Sequence, residues 1–214
     1  MADAKISGLY VIIDPDACRG RDVRDVAERA LEGGASMLQW RDKRREKGAQ
    51  LREARALREL CAEHGALLIV NDHADLALAA GADGVHVGQG DLPVEEVRRI
   101  VPAGFIVGAS TNNAHEALEA EAAGASYIAI GSVYPTNSKE PERTRAASPE
   151  RLSEVKAAVG VPVIAIGGID ASNIEEVVRA GADAVAVISA VCGAGDPQAA
   201  ARELVERQRR GSAL

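Results

Sequence analysis

The chain has 214 residues, enough for one α/β barrel or two small domains and for a sizeable core. At 47% hydrophobic and 27% charged residues it is not a disordered chain. A net charge of −7, with only three Tyr, one Trp and one Phe, excludes a global field for nucleic acid or anionic membrane and leaves little surface for stacking bases.

The first apolar run, residues 9–13, is too short for a signal-peptide core or a membrane span. Similar β-rich runs follow at 36–40, 67–70, 84–87, 105–108, 127–131, 163–166 and 184–188. Between them lie Ala/Glu/Arg-rich stretches with helical spacing; in the second, Leu57, Leu60, Cys61 and His64 share a face. Strands alternating with helices read as βαβ units in a parallel sheet. Gly34, Gly81, Gly124 and Gly181, each followed by Ala and a short polar residue before a strand, predict left-handed turns at helix C-termini. Eight such units predict a single (β/α)8 TIM barrel over residues 1–214, with no composition break to mark a second domain. The rival, an open doubly wound sheet, carries a glycine fingerprint after its first strand, where this chain has Asp14-Pro15-Asp16. Cys18, Cys61 and Cys192 are odd in number and widely spaced, which argues against a disulfide framework or a zinc site. A soluble cytoplasmic protein is the expectation.

Active sites of this fold lie at the C-terminal ends of the strands. There the second strand runs into Gln39-Trp40-Arg41-Asp42-Lys43, and alternation puts Gln39, Arg41 and Lys43 on one face, aimed at an anion, with Trp40 toward the helices. The alternative is a charged strand end in solvent. Asn71-Asp72 ends the third strand and Asp91 follows the fourth; paired carboxylates from adjacent strands suit Mg2+, although either Asp also fits a helix cap. Ser110-Thr111-Asn112 after the fifth strand reads as a cap or a ligand contact. The longest irregular stretch, 132–148, follows the sixth strand and contains Thr136, Ser138 and Lys139, which read as a phosphate grip or a polar turn. Gly167-Gly168 and Ile188-Ser189 close the last two strands, where this fold often holds phosphate on backbone N–H groups. The histidines, at 64, 73, 86 and 115, show no metal spacing, and His86 reads as a hydrogen-bonded interior group. No nucleophilic triad is present. The Arg44-Arg45, Arg98-Arg99 and Arg209-Arg210 pairs read as solvated faces.

These motifs, in this order from residue 9 to the last helix, resemble the thiamine-phosphate synthase family. The resemblance implies coupling of a pyrimidinylmethyl diphosphate to a thiazole phosphate, with loss of pyrophosphate. It implies that Gln39, Arg41, Lys43, Asn71, Ser110 and Lys139 bind the pyrimidine diphosphate and that Asp72 and Asp91 hold Mg2+. Thr136, Ser138, Gly168, Ile188 and Ser189 would bind the thiazole phosphate. Arg41, Lys43 and Lys139 would stabilise the departing pyrophosphate, and the loop near Lys139 would exclude water from a pyrimidine methylene cation. Departures are small: Trp40 replaces a smaller aliphatic or other aromatic residue, and Ser132 and Ser138 stand where Pro and Thr are common. A related thiazole tautomerase and a non-catalytic phosphate sensor are the alternatives; retention of Asp72, Asp91, Arg41, Lys43 and Lys139 argues against both.

Overall fold

In the computed structural model, residues 6–136 and 148–212 are described. Eight parallel strands close into a barrel in sequence order: β1 (Gly8–Ile13), β2 (Met37–Trp40), β3 (Leu67–Asn71), β4 (Gly84–Val87), β5 (Ile106–Thr111), β6 (Tyr127–Gly131), β7 (Val163–Ile166) and β8 (Ala184–Val187). Closure is visible in β1, where Val11 is in register with Leu38 of β2 on one side and Val187 of β8 on the other. The outer layer consists of α1 (Val23–Glu32), α2 (Lys47–Glu63), α3 (Ala74–Ala80), α4 (Val94–Ile100), α5 (Ala114–Ala122), α6 (Pro149–Ala158), α7 (Ile174–Arg179), the short α8 (Ser189–Cys192) and α9 (Pro197–Ser212). The TIM barrel expected from the sequence is the fold observed.

Period-two alternation divides each strand between two cores. In β1, Leu9, Val11 and Ile13 pack outward under the helices, while Tyr10 and Ile12 join Met37, Ile69, Tyr127 and Ile164 inside the barrel. The outward row explains Trp40, which is 1% exposed beneath the helix layer with the Arg45 guanidinium 5.2 Å from its ring centre. The inward rows turn polar toward the C-terminal ends: Met37 is followed by Gln39, Ile69 by Asn71, Gly108 by Ser110. That gradient places the site before any loop is considered.

Several local expectations are corrected. The fifth strand continues through Ser110 and Thr111, so neither caps a helix; Asn113 caps α5, its side chain accepting from the Glu116 N–H at 3.0 Å. His64 ends α2 exposed, outside the buried face of Ala54, Leu57 and Cys61. Gly81 is a left-handed C-cap as expected, whereas Gly34, Gly124 and Gly181 take positive φ one residue beyond their caps. Arg98 is not a solvated cation: its guanidinium binds the carbonyls of Gly124 and Phe105 and the Ser126 hydroxyl at 2.6–2.7 Å, tying α4 to the turns that lead into β5 and β6. The cysteines are all free and buried. Among the described residues, no helix is long and apolar enough to cross a membrane.

Gly108 is required by close approach. A Cβ there would lie 2.0 Å from Cζ and 2.3 Å from Oη of Tyr127, whose ring fills the barrel beside it. Gly108→Ala is therefore expected to destabilise the chain by about 1–3 kcal/mol, the usual cost of overpacking. Urea unfolding checks this, and an unchanged midpoint would mean that the interior is looser than this packing requires.

Candidate active site

Two adjoining cavities open at the C-terminal mouth. The larger, about 1400 Å³, takes its polar lining from the ends of the first five strands, including Gln39, Arg41, Lys43, Asn71, Asp72 and Asp91, and is closed by apolar residues of β6, β7 and β8 such as Ala129, Ile164 and Ala186. The smaller, about 380 Å³, is lined by Ser132, Pro135 and Thr136 after β6, Gly167 and Gly168 after β7, and Ile188 and Ser189 after β8. Arg19, Ile166, Ala186, Ile188 and Ser189 line both. Ser110 belongs to the larger one. Thus the predicted residues that fall in the described segments converge on one mouth. Ser138 and Lys139 lie outside the described residues.

In the larger cavity, strand alternation turns Gln39 and Arg41 inward as expected. Arg41 Nη1 is ion-paired with the Asp14 carboxylate, whose other oxygen accepts the Asp16 N–H at 3.0 Å. Asp14 was not singled out by the sequence reading, although its place at a strand end is the same signal that marked Asn71 and Asp72. Asp42 also lines this cavity, and its carboxylate is ion-paired with Arg45. Asp72 holds a left-handed φ of 63°, its N–H donating to the His86 carbonyl at 2.8 Å, and the N-terminus of α3 is taken by His73. Asp91 also caps no helix: its Oδ2 accepts the Gly88 N–H at 2.7 Å within its own loop. With capping removed for both, the pair is left facing one space. Burial, the charge of Asp91 and a hydrogen bond with it push the Asp72 carboxyl up to about 6, and the Lys43 ammonium offsets this in part.

A buried hydrogen-bonded chain crosses the barrel beneath this cavity. Gln39 Nε2 donates to Tyr10 Oη at 2.7 Å, and Tyr10 Oη lies 3.3 Å from Tyr127 Oη. Tyr127 Oη is 3.0 Å from His86 Nδ1, and His86 Nε2 is 2.8 Å from Ser110 Oγ. His86 is thus the hydrogen-bonded interior group that its strand position suggested. It is stacked on Tyr127 at 5.5 Å between ring centres. The tyrosines escaped notice because an inward Tyr reads as core until its hydroxyl partner is known.

In the smaller cavity the glycines are enforced by the protein itself. A Cβ on Gly167 would sit 2.3 Å from that of Ser132, and one on Gly168 would sit 2.7 Å from the Pro135 carbonyl; their φ values are +99° and +66°. The Tyr134 N–H donates to the Gly167 carbonyl at 3.0 Å, and Asn173 Nδ2 donates to the Gly168 carbonyl at 2.9 Å. The β7 turn is therefore clamped against the β6 loop from one side and α7 from the other.

The raised Asp72 value carries a stability consequence. Between its ordinary 3.8 and about 6, the folded chain keeps a proton that the unfolded chain releases, so this group makes stability fall as pH rises through that window. Asp91→Asn removes the repelling charge and is expected to lessen that fall and raise the melting temperature at pH 7 in chelator. Melts of both proteins from pH 4 to 7 check it; parallel curves would show that the two carboxylates do not interact.

Comparison with known proteins agrees with this architecture. The family model for thiamine monophosphate synthase matches residues 9–191. The thiamine-phosphate synthase of Methanoculleus marisnigri is 50% identical over 199 residues, covering 93% of this chain and 94% of that protein. That of Shouchella clausii is 46% identical over 201 residues, 92% of this chain and 94% of its own. The structure of thiamine phosphate pyrophosphorylase from Pyrococcus furiosus superposes with a TM-score of 0.88 at 40% identity, covering 96% of each chain. The barrel, the polar strand ends and these similarities together place the chain in the thiamine monophosphate synthase family.

Proposed function

We propose that this chain joins a pyrimidinylmethyl diphosphate to a thiazole phosphate, releasing pyrophosphate, with Mg2+ held by Asp72 and Asp91. The observation that carries this reading is the juxtaposition of two cavities at one mouth: one lined by carboxylates and cations, the other by a glycine turn and hydroxyls, with a shared wall. Such a mouth suits two phosphate-bearing substrates whose reacting atoms must meet.

The residues fit a divalent cation. Asp72 and Asp91 supply hard oxygen donors, and their mutual repulsion is a cost that a shared cation removes. When bound, Mg2+ would neutralise charge on the leaving diphosphate as a Lewis acid. Arg41, oriented by Asp14, and Lys43 take the remaining diphosphate charge, with Lys139 as the third cation. Gln39, Asn71 and Ser110 hold the pyrimidine. Thr136, Ser138, Gly168, Ile188 and Ser189 take the thiazole phosphate. The bond from the pyrimidine methylene carbon to diphosphate oxygen breaks with its electron pair leaving on oxygen, and the thiazole nitrogen pair forms the new C–N bond. No protein nucleophile is required.

Two substitutions test this reading. Asp91→Ala is expected to lower Mg2+-dependent turnover on the order of 100-fold or more, without loss of the folded circular-dichroism spectrum. Near-normal turnover would remove the metal assignment. Gly168→Val should raise KM for the thiazole phosphate by roughly tenfold or more and leave that for the pyrimidine diphosphate within about twofold. Equal losses for both substrates would contradict the division of the mouth.

A further inference from the structure

We infer that Arg19 is a substrate-binding residue whose guanidinium supplies the counter-charge for the phosphate taken into the smaller cavity. The inference rests on the two-substrate reading above and adds a residue that the reading does not use.

Positive charge is distributed unevenly between the two cavities. The larger is lined by Arg41, Lys43, Arg44 and Arg45. Among the described residues the smaller has one basic lining residue, Arg19, set against one acidic residue, Asp170. A phosphate monoester carries a charge of about −1.5 to −2 at neutral pH. The Thr136 and Ser189 hydroxyls and the backbone of the glycine turn bring it hydrogen bonds but no full positive charge. Arg19 also lines the larger cavity, so it stands at the wall that the two share. Its Nη2 lies against the end of α8, where a Cβ on Gly193 would be 3.5 Å from it. Ser189, at the start of that four-residue helix, lines both cavities as well.

The backbone holds Arg19 in this place. Its φ is 54° and that of Gly20 is 81°, a left-handed turn in which a side chain at residue 19 is disfavoured. Arg21 pins the turn to the end of α8. Its Nε donates to the Cys18 carbonyl at 3.2 Å, its Nη1 to the Ala194 carbonyl at 2.7 Å, and its Nη2 to the Cys192 carbonyl. The two arginines thus have opposite fates. The Arg21 fork is taken up by carbonyls, whereas the exposed Arg19 fork has no hydrogen-bond or ion-pair partner among the described residues. Glycine is the residue that a left-handed turn ordinarily takes, so arginine here costs stability that no contact within the described protein offsets. A ligand anion is the partner the geometry leaves for it, and a planar guanidinium suits a phosphate because it can donate two parallel N–H bonds.

Calorimetric titration of the full chain with the thiazole phosphate, and separately with the corresponding thiazole alcohol, isolates what the phosphate contributes. Arg19→Gly removes the fork and relieves the backbone, so the variant is expected to melt no more than about 3 °C below the unaltered chain. It is expected to lose roughly tenfold or more in affinity for the thiazole phosphate and to bind the alcohol within about twofold of the unaltered chain. Arg19→Asn, which also tolerates a left-handed φ, is expected to show the same loss and serves if the glycine variant does not fold. KM for the pyrimidine diphosphate should stay within about threefold, because Arg41 and Lys43 remain. Undiminished affinity for the thiazole phosphate overturns the inference. So does an equal loss for phosphate and alcohol, which is what distortion of the cavity would produce. Neither titration needs turnover. A chain that binds the thiazole phosphate through Arg19 yet releases no pyrophosphate would therefore remove the functional reading and leave this one standing, and a chain that takes up no thiazole phosphate overturns both.

Discussion

Closing eight strands into a barrel forces every second side chain into a space that few atoms can fill, and the site depends on how this chain fills it. At the N-terminal and middle levels the inward residues are apolar: Met37, Ile69, Ile164 and Ala184. Glycine at 108 admits the Tyr127 ring, which occupies the axis and carries a hydroxyl to the centre of the barrel. That hydroxyl joins the only kind of neighbour it can accept there, other polar groups of the interior, and the chain from Gln39 to Ser110 results. The floor of the larger cavity is thus a packed layer whose polar groups are mutually satisfied. This leaves the layer above it free to be charged.

That upper layer holds charges of both signs at close quarters without a net field. Asp14 compensates Arg41 from one side, and both residues line the larger cavity. Burial, together with the charge of Asp91, raises the Asp72 carboxyl to about 6, an unfavourable arrangement that a shared cation would relieve. Strain follows the same pattern, since Asp72 is one of two non-glycine residues at positive φ among those described, and the other, Arg19, lines both cavities. Backbone strain of this kind persists where surrounding structure over-determines it, as the bond from the Asp72 N–H to the β4 carbonyl of His86 does here.

Much of this was legible in the sequence for a simple reason: strand alternation and the positional rule for barrel sites act through nearest neighbours in the chain. They are enough to bring Gln39, Arg41, Asn71, Asp72, Ser110, Gly168 and Ser189 to one face. What escaped depended on contacts between distant residues. Whether Asp72 and Asp91 cap helices or face each other turns on loop paths that local propensity does not set. The necessity of Gly167 and Gly168 arises from Ser132 and Pro135, more than thirty positions away in the chain. Likewise the roles of Tyr10 and Tyr127 exist only once β1 and β6 are set across the barrel from each other. Arg98, read as a surface charge, is a clamp because two of its three partners are carbonyls, which leave no mark in the sequence.

The most direct measurement is pyrophosphate release from the purified chain given the pyrimidine diphosphate and the thiazole phosphate together, each alone, and both with Mg2+ chelated. Release that requires both substrates and the metal is the predicted result. Equal release from the pyrimidine diphosphate alone, or none while the thiazole phosphate still binds, would contradict it and leave the charged strand ends without the role proposed for them.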